Sequence, residues 1–382
     1  MKSKTKADKS TILIASGASG GHLFPALAVA QALKEKHGKR PAFDVLVILG
    51  GSKFVDVVQR AGLPYVRLPA AAFNDRGPIR LLWAFGKLGH GFLKALQLVM
   101  KTKPVAVFGT GGYATVALML AAKLRGVPTI IHEQNVLPGR ANRFLARIAD
   151  VVVVTFEESL QYFPQADRAN SGRIVVAGTP LRQEILEMAA AHPLKKRKAR
   201  DGGFTLLVLG GSQGARILGE VVPEMVGMLG AAERKTLKVI QQVRTDEVER
   251  VTAAYGKLGL AEVVVQAFFT NLPELYVEAD LVIGRSGVGT VLECATLGVP
   301  AVYVPLELAD GHQKLNAGVA EKAGAAVVVE QAYFTPANLL VHVRALRNDT
   351  SRLDAMAAAA LTLARVDATE TVAQVIVEAI KA

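Results

Sequence analysis

Four segments of the sequence have the composition of anion cradles: Gly17-Ala18-Ser19-Gly20-Gly21-His22, Gly109-Thr110-Gly111-Gly112-Tyr113, Gly210-Gly211-Ser212-Gln213-Gly214-Ala215 and Arg285-Ser286-Gly287-Val288-Gly289-Thr290. A strand that ends in glycines and turns into a helix offers unpaired backbone N–H groups and the positive helix end, which together suit a phosphate. One such loop is weak evidence, because glycine also lets helix and strand approach closely with no ligand present. Four in one chain argue for a substrate carrying several phosphates.

The spacing also excludes chemistry. None of the four loops reads G-x-G-x-x-G, and none ends in the Lys-Ser/Thr of a P-loop, so nicotinamide-dependent reduction and ATP hydrolysis lose their usual sequence support. No Asp-x-Asp pair is present to hold a divalent ion against a nucleotide diphosphate. We therefore expect no metal and no cofactor, with helix ends stabilising a leaving diphosphate instead. The single cysteine, Cys294, forms no intrachain disulfide and builds no Cys-rich zinc module.

The elements that must position these loops follow from periodicity. Short β-branched runs (12–15, 44–49, 105–108, 129–132, 151–155) alternate with Ala/Leu-rich helical segments (24–36, 53–61, 79–101, 115–125, 139–148), the pattern of a parallel sheet covered by helices on both faces. After 174–176 the pattern restarts, with strands expected at 204–209, 238–242, 263–266, 281–283, 301–304 and 326–329. Both halves open with an apolar strand running into a glycine loop, so the chain of 382 residues reads as α/β, with two doubly wound parallel-sheet domains.

Charge divides along the same line. Residues 1–182 hold 25 Lys+Arg against 10 Asp+Glu, and residues 183–382 hold 20 against 23, so the net +12 resides in the first half. A basic half suits phosphate, an acidic membrane surface or nucleic acid, and with aromatics at 6% and no aromatic-basic repeat, no nucleic-acid partner is expected. Lys2, Lys4, Lys6 and Lys9 precede an apolar run too short for a signal peptide, and 114–122, the longest apolar stretch, is too short to span a bilayer. The basic run Lys195-Lys196-Arg197-Lys198 reads as a solvated loop between the domains.

Ser19-Gly20-Gly21-His22 with Phe24-Pro25, Gly111-Gly112-Tyr113, His132-Glu133-Gln134-Asn135, Gly210–Ala215, and Arg285-Ser286-Gly287 running to Glu293 together resemble the MurG family. The resemblance covers the chain from about residue 12 to its end. It implies the GT-B fold, two Rossmann-like domains facing a central cleft, with domains at 1–178 and 179–365 and a last helix within 366–382 crossing back to the first. It also implies transfer of N-acetylglucosamine from UDP-N-acetylglucosamine to the C4 hydroxyl of the MurNAc unit of lipid I, giving the β-1,4-linked lipid II with inversion. Partners on that reading are UDP-N-acetylglucosamine, lipid I, the anionic inner membrane surface on its cytoplasmic face, and other cell-wall synthesis enzymes.

Residue roles follow from the same resemblance. His22 and Asn135 are the catalytic candidates; an imidazole, ordinarily titrating near 6.5, suits proton removal from a sugar hydroxyl, though at a loop end it also serves as a brace. Ser19, Gly20, Gly21, Asn135, Arg182, Ser212, Phe269, Val288, Gly289, Thr290, Glu293, His312 and Gln313 would hold the donor, with Glu293 on the ribose diol and Phe269 beside the uracil. Gly20, Gly21, His22, Gly111, Gly112 and Tyr113 would hold the acceptor.

Three positions depart from the family pattern or vary within it: Ala18 replaces a glycine, Ala114-Thr115-Val116-Ala117 replaces Val-Ser-Gly-Pro, and the family's Gln-Gln or His-Gln pair is here His312-Gln313. Leu81, Leu82, Trp83, Phe85, Leu88, Phe92 and Leu93, with Arg76, Arg80, Lys87 and Lys94 around them, read either as core or as an interfacial membrane patch. Alternatives to the transfer are another GT-B glycosyltransferase, a UDP-N-acetylglucosamine 2-epimerase or an inactive membrane-docked scaffold.

Overall fold

A computed structural model describes residues 10–17, 19–35, 42–52, 54–69, 78–163, 173–193, 203–211, 214–307 and 311–381, apart from the side chains of 78–88. The chain divides into two compact units, Met1–Arg182 with Asp367–Ala382, and Gln183–Val366. The division falls four residues beyond the boundary read at 178/179, and one residue beyond that at 365/366.

The first unit is built on seven parallel strands: β1 (Thr11–Ser16), β2 (Asp44–Leu49), β3 (Tyr65–Arg67), β4 (Ala106–Gly109), β5 (Thr129–Glu133), β6 (Val151–Val154) and β7 (Arg173–Val176). Their order is β3-β2-β1-β4-β5-β6-β7. Ile12, Leu13, Ile14 and Ala15 all lie fully buried, because helices cover both faces and the strand has no solvent side to alternate with. Ile12 and Ile14 pack with Leu23, Val29 and Ile376 on one face, while Leu13 and Ala15 pack with Leu118 and Met119 on the other, the period of two expected of a strand. The helix Ala368–Lys381 thus belongs to this unit: its Val372, Ala373, Ile376 and Val377 complete the first of those cores.

The second unit has six parallel strands: β8 (Phe204–Leu209), β9 (Leu237–Gln242), β10 (Glu262–Gln266), β11 (Leu281–Gly284), β12 (Ala301–Tyr303) and β13 (Ala326–Val328), in the order β10-β9-β8-β11-β12-β13. Phe204, Leu206 and Val208 pack on Leu218 and Val222 of the helix Arg216–Gly227 and on Leu339 and Val343 of the helix Pro336–Arg347.

β3 is the one strand the periodicity misses. It is three residues long, pairs only with β2 at the sheet edge, and carries the partly buried Tyr65 and Val66 beside an exposed Arg67, too few positions to show a period. Within each sheet, sequence order reverses at one place, between β1 and β4 in the first and between β8 and β11 in the second. Such a switch point opens a crevice at the carboxyl ends of the strands, where doubly wound folds bind their ligands. All four glycine loops follow those four strands.

Candidate active site

In the first unit the loop after β1 and the loop after β4 interlock around His22. The helix Gly20–Lys34 starts behind Ser19, whose backbone carbonyl accepts from His22 N at 3.1 Å. A serine at this cap position ordinarily turns its hydroxyl onto the first turn's N–H groups. Here the hydroxyl makes no cap bond and lies 2.6 Å from His22 Nδ1. Thr110 Oγ1 donates to the His22 carbonyl at 2.8 Å, tying the second loop to the first.

The glycines make this fit possible. A Cβ on Gly17 would stand 2.9 Å from His22 Nδ1, one on Gly111 would stand 3.0 Å from His22 Nε2, and one on Gly112 would stand 2.7 Å from the Gly17 Cα. Gly111 and Gly112 hold φ of +111° and +87°, a region L side chains rarely enter. Tyr113 follows as the first residue of the helix Tyr113–Leu124, half-buried. Ala114 and Ala117 are buried helix residues, so that departure from the family pattern falls beyond the loop, while Ala18 lies outside the described residues.

At the end of β5 a buried polar cluster stands beside these loops. The His132 Nε2–H donates to the Gly178 carbonyl at 2.8 Å, and its Nδ1 accepts from Gln134 Nε2 at 3.0 Å, which defines a neutral ring. Burial pushes its pKa down to about 4. The linked stability effect has a definite sign. Between pH 6.5 and about 4 the unfolded chain takes up a proton that the folded chain refuses, so stability falls as pH falls through that window, by about 3 kcal/mol at most. Thermal melting followed from pH 7 to 4 should show this loss. His132→Gln, which keeps a donor for Gly178, should flatten it, and an unchanged slope would assign the acid limb to other groups.

Asn135 is half-buried, its N and Nδ2 both donating to Glu133 Oε1, at 2.9 and 3.2 Å. Arg182 lies over the Phe24 ring, 5.3 Å from its centroid, so it stays with the first unit.

In the second unit the loop after β8 runs through Gly210, Gly211 (φ +79°) and Gly214 (φ +69°), and a Cβ on Gly214 would collide with Arg244. Ser212 lies outside the described residues. After β11, Gly287 caps the helix Val288–Leu297, so Val288, Gly289 and Thr290 form its first turn, and the first N–H groups of a helix lack intrahelical partners. Glu293 is half-buried in the second turn; burial, with this carboxylate alongside, pushes the Tyr276 hydroxyl well above its usual range.

Ser286 Oγ donates to the Gln313 carbonyl at 2.8 Å and Gln313 Oε1 accepts from Leu306 N at 3.0 Å, which fixes the Gln313 amide beside β11. His312 opens the helix His312–Lys322 behind Gly311. Arg285 is a buried bracket: its guanidinium donates to the carbonyls of Val304 and Pro305 and to Gln331 Oε1.

Phe269, the residue read beside the uracil, is 8% exposed, and its neighbour Phe268 is 71% exposed. Among the described residues no group of three or more His, Cys, Asp and Glu is placed to hold a metal ion.

Comparison with known proteins identifies the family and the fold. The glycosyltransferase family 28 N-terminal domain matches residues 12–154, and the C-terminal domain of the same family matches residues 205–372. A UDP-N-acetylglucosamine--N-acetylmuramyl-(pentapeptide) pyrophosphoryl-undecaprenol N-acetylglucosamine transferase of Rhodopseudomonas palustris (strain BisB18) is 41% identical, covering 96% of this chain and 95% of its own. One of the same name from Methylobacterium sp. (strain 4-46) is 42% identical, covering 96% of each. The crystal structure of Acinetobacter baumannii MurG superposes with a TM-score of 0.75 at 29% identity, over 97% of this chain and 99% of that one. A UDP-GlcNAc 2-epimerase from Neisseria meningitidis reaches a TM-score of 0.69 at 14% identity over 96% of this chain and 100% of that one, a likeness of fold alone. On identity sustained over nearly the full length, and on both matched domains, the chain belongs to the MurG family of glycosyltransferases.

Proposed function

We propose that this protein transfers N-acetylglucosamine from UDP-N-acetylglucosamine to the C4 hydroxyl of the MurNAc unit of lipid I. The observation that carries the reading is the near full-length identity to transferases bearing that activity in their names. In a single inverting displacement the C4 oxygen attacks the anomeric carbon. His22 takes the hydroxyl proton, and the bond from that carbon to the diphosphate breaks with its electrons on the UDP oxygen. Gly20, Gly21, Gly111, Gly112 and Tyr113 hold the acceptor diphosphate, and the loop after β8 with the Val288–Thr290 turn offsets the charge developing on UDP.

UDP release from UDP-N-acetylglucosamine with and without a short-chain lipid I analogue tests the reading. Release that requires the analogue, with a disaccharide product, supports it. Release without acceptor, or conversion of the sugar to its 2-epimer, would overturn it in favour of the epimerase alternative.

For the donor, Glu293 binds the ribose diol, with Ser19, Asn135, Arg182, Ser212, His312 and Gln313 around the nucleotide and sugar, and Phe269, with the exposed ring of Phe268 next to it, borders the base. Glu293→Gln loses a charge-assisted hydrogen bond and should raise the KM for UDP-N-acetylglucosamine roughly ten- to a hundredfold, about 1.5–3 kcal/mol, with the acceptor KM little changed. Phe268→Ala should raise the same constant, and Phe269→Ala should also appear as a lower melting temperature. An unchanged donor KM in the first two variants would remove both residues from the site.

Contact with an anionic membrane surface, on the cytoplasmic face, belongs to the same proposal. The basic first half supports it, as do Leu93, 58% exposed, and the exposed Met100 and Lys94 on the helix Pro78–Thr102. Arg76 lies outside the described residues, and so do the side chains of Arg80, Leu82, Trp83 and Lys87. No helix among the described residues is long and apolar enough to cross a membrane. Replacing Leu93 and Lys94 by Ser should weaken co-sedimentation with phosphatidylglycerol vesicles, and parental binding by that variant would move the contact elsewhere.

A further inference from the structure

Glu133 is 2% exposed at the last position of β5, and four donors converge on its carboxylate: Asn135 N at 2.9 Å and Asn135 Nδ2 at 3.2 Å on Oε1, Gly139 N at 3.0 Å and Asn142 Nδ2 at 2.9 Å on Oε2. The adjacent imidazole of His132 supplies no countercharge, since its ring is neutral and committed to Gly178 and Gln134. Burying a carboxylate among neutral amide donors is costly compared with burying a neutral side chain. A carboxylate, however, accepts on every side. A glutamine in its place would turn an NH2 group toward one pair of donors.

The consequence falls on Asn135. With its backbone N–H and its Nδ2 on the same oxygen, and with Ser159 Oγ donating to its carbonyl at 3.2 Å, the Asn135 amide has one setting: Nδ2 toward Glu133 and Oδ1 on the opposite side. The other carboxylate oxygen holds Asn142, whose Nδ2 also donates to the His132 carbonyl at 3.0 Å and lies 3.5 Å from where a Cβ on Gly111 would stand. One buried group therefore sets both the amide at the end of β5 and the packing behind the second glycine loop.

We propose that Glu133 is a positioning residue of the transfer reaction, acting through Asn135 by fixing the orientation of its amide. The inference rests on the assignment of Asn135 to the sugar site. Its effect should appear in turnover and vanish when Asn135 is gone.

A double-mutant cycle on the full-length enzyme reads this directly, with kcat and both KM values measured for Glu133→Gln, Asn135→Ala and the pair. The expected result is a kcat lowered at least about tenfold in each single variant, with donor KM changed less than about threefold by Glu133→Gln. The double variant should then match Asn135→Ala within about threefold. The side-chain NH2 resonance of Asn135, shifted downfield by its carboxylate partner in the parent, should move upfield in Glu133→Gln.

Should Glu133→Gln fail to fold, Glu133→Asp takes its place in the cycle, keeping the charge while withdrawing the oxygens by one methylene. If Asn135→Ala impairs turnover and Glu133 substitution multiplies the loss, Glu133 is structural and the inference fails alone. If Asn135→Ala turns over like the parent, the assignment of Asn135 fails and takes the inference with it.

Discussion

His22→Ala should lower kcat by about 10²–10⁴, the span a positioned general base contributes, while leaving the donor KM nearly unchanged. The geometry behind this expectation is the wedge of the ring between Gly17 and Gly111, with Ser19 Oγ 2.6 Å from Nδ1. If the Nδ1–H donates to that hydroxyl, Nε2 holds the lone pair that takes the proton. The parent's kcat should then decline on the acid side as the ring protonates, and the variant should lack that limb. A pH profile of parent and variant checks both points. If His22→Ala keeps its turnover within a fewfold of the parent and an unaltered acid limb, the imidazole is a brace and the proton leaves by another route.

Gly112→Ala should be strongly damaging, because backbone conformation and close packing act on it together. Its φ of +87° with ψ of 167° lies in a region essentially reserved for glycine, and holding an L residue there costs roughly 1–3 kcal/mol. The added carbon would also stand 2.7 Å from the Gly17 Cα, a backbone atom that cannot rotate away, and overpacking of this kind adds roughly 1–3 kcal/mol. Calorimetry should therefore show a loss of about 2–6 kcal/mol, together with a large fall in kcat/KM for the acceptor as the two loops part. Gly126→Ala separates the two causes. Its φ is +67° but nothing lies within 4 Å of the new carbon, so it should show only the backbone cost and keep its activity. Equal destabilisation in the two variants would mean that the loops do not need their close approach.

The sequence made the sheets legible because buried parallel strands are continuous apolar runs, and it made the glycine loops legible because positive φ and close backbone approach leave few other residues. His22, Glu293 and Gln313 stand at the loop ends and helix turns where the motifs put them. What stayed hidden depends on three-dimensional direction. Phe268 and Phe269 are adjacent and chemically identical, and only the fold decides which one faces solvent. The Ser19 hydroxyl, at the cap position of the helix Gly20–Lys34, meets the ring at His22, a contact set by the turn from strand to helix. Glu133 and His132 stand in the sequence as polar letters near a strand end, but their hydrogen bonds to Asn142 depend on the turn from β5 into the helix Arg140–Leu145, which no local periodicity encodes.

The last helix has a consequence for the order in which the protein is made. Val372, Ala373, Ile376 and Val377 fill the same core as Ile12, Ile14 and Leu23, yet they are separated from them by about 350 residues of chain. During synthesis the first sheet leaves the ribosome with one apolar face covered only in part, by the helix Gly20–Lys34, and it stays so while the whole of the second unit is translated. The second unit, Gln183–Val366, is continuous in sequence and has all its own strands before the final helix emerges. The first unit is thus sealed only after the second has been made, and a chain interrupted before the helix Ala368–Lys381 would keep a first unit whose sheet still exposes an apolar surface to chaperones.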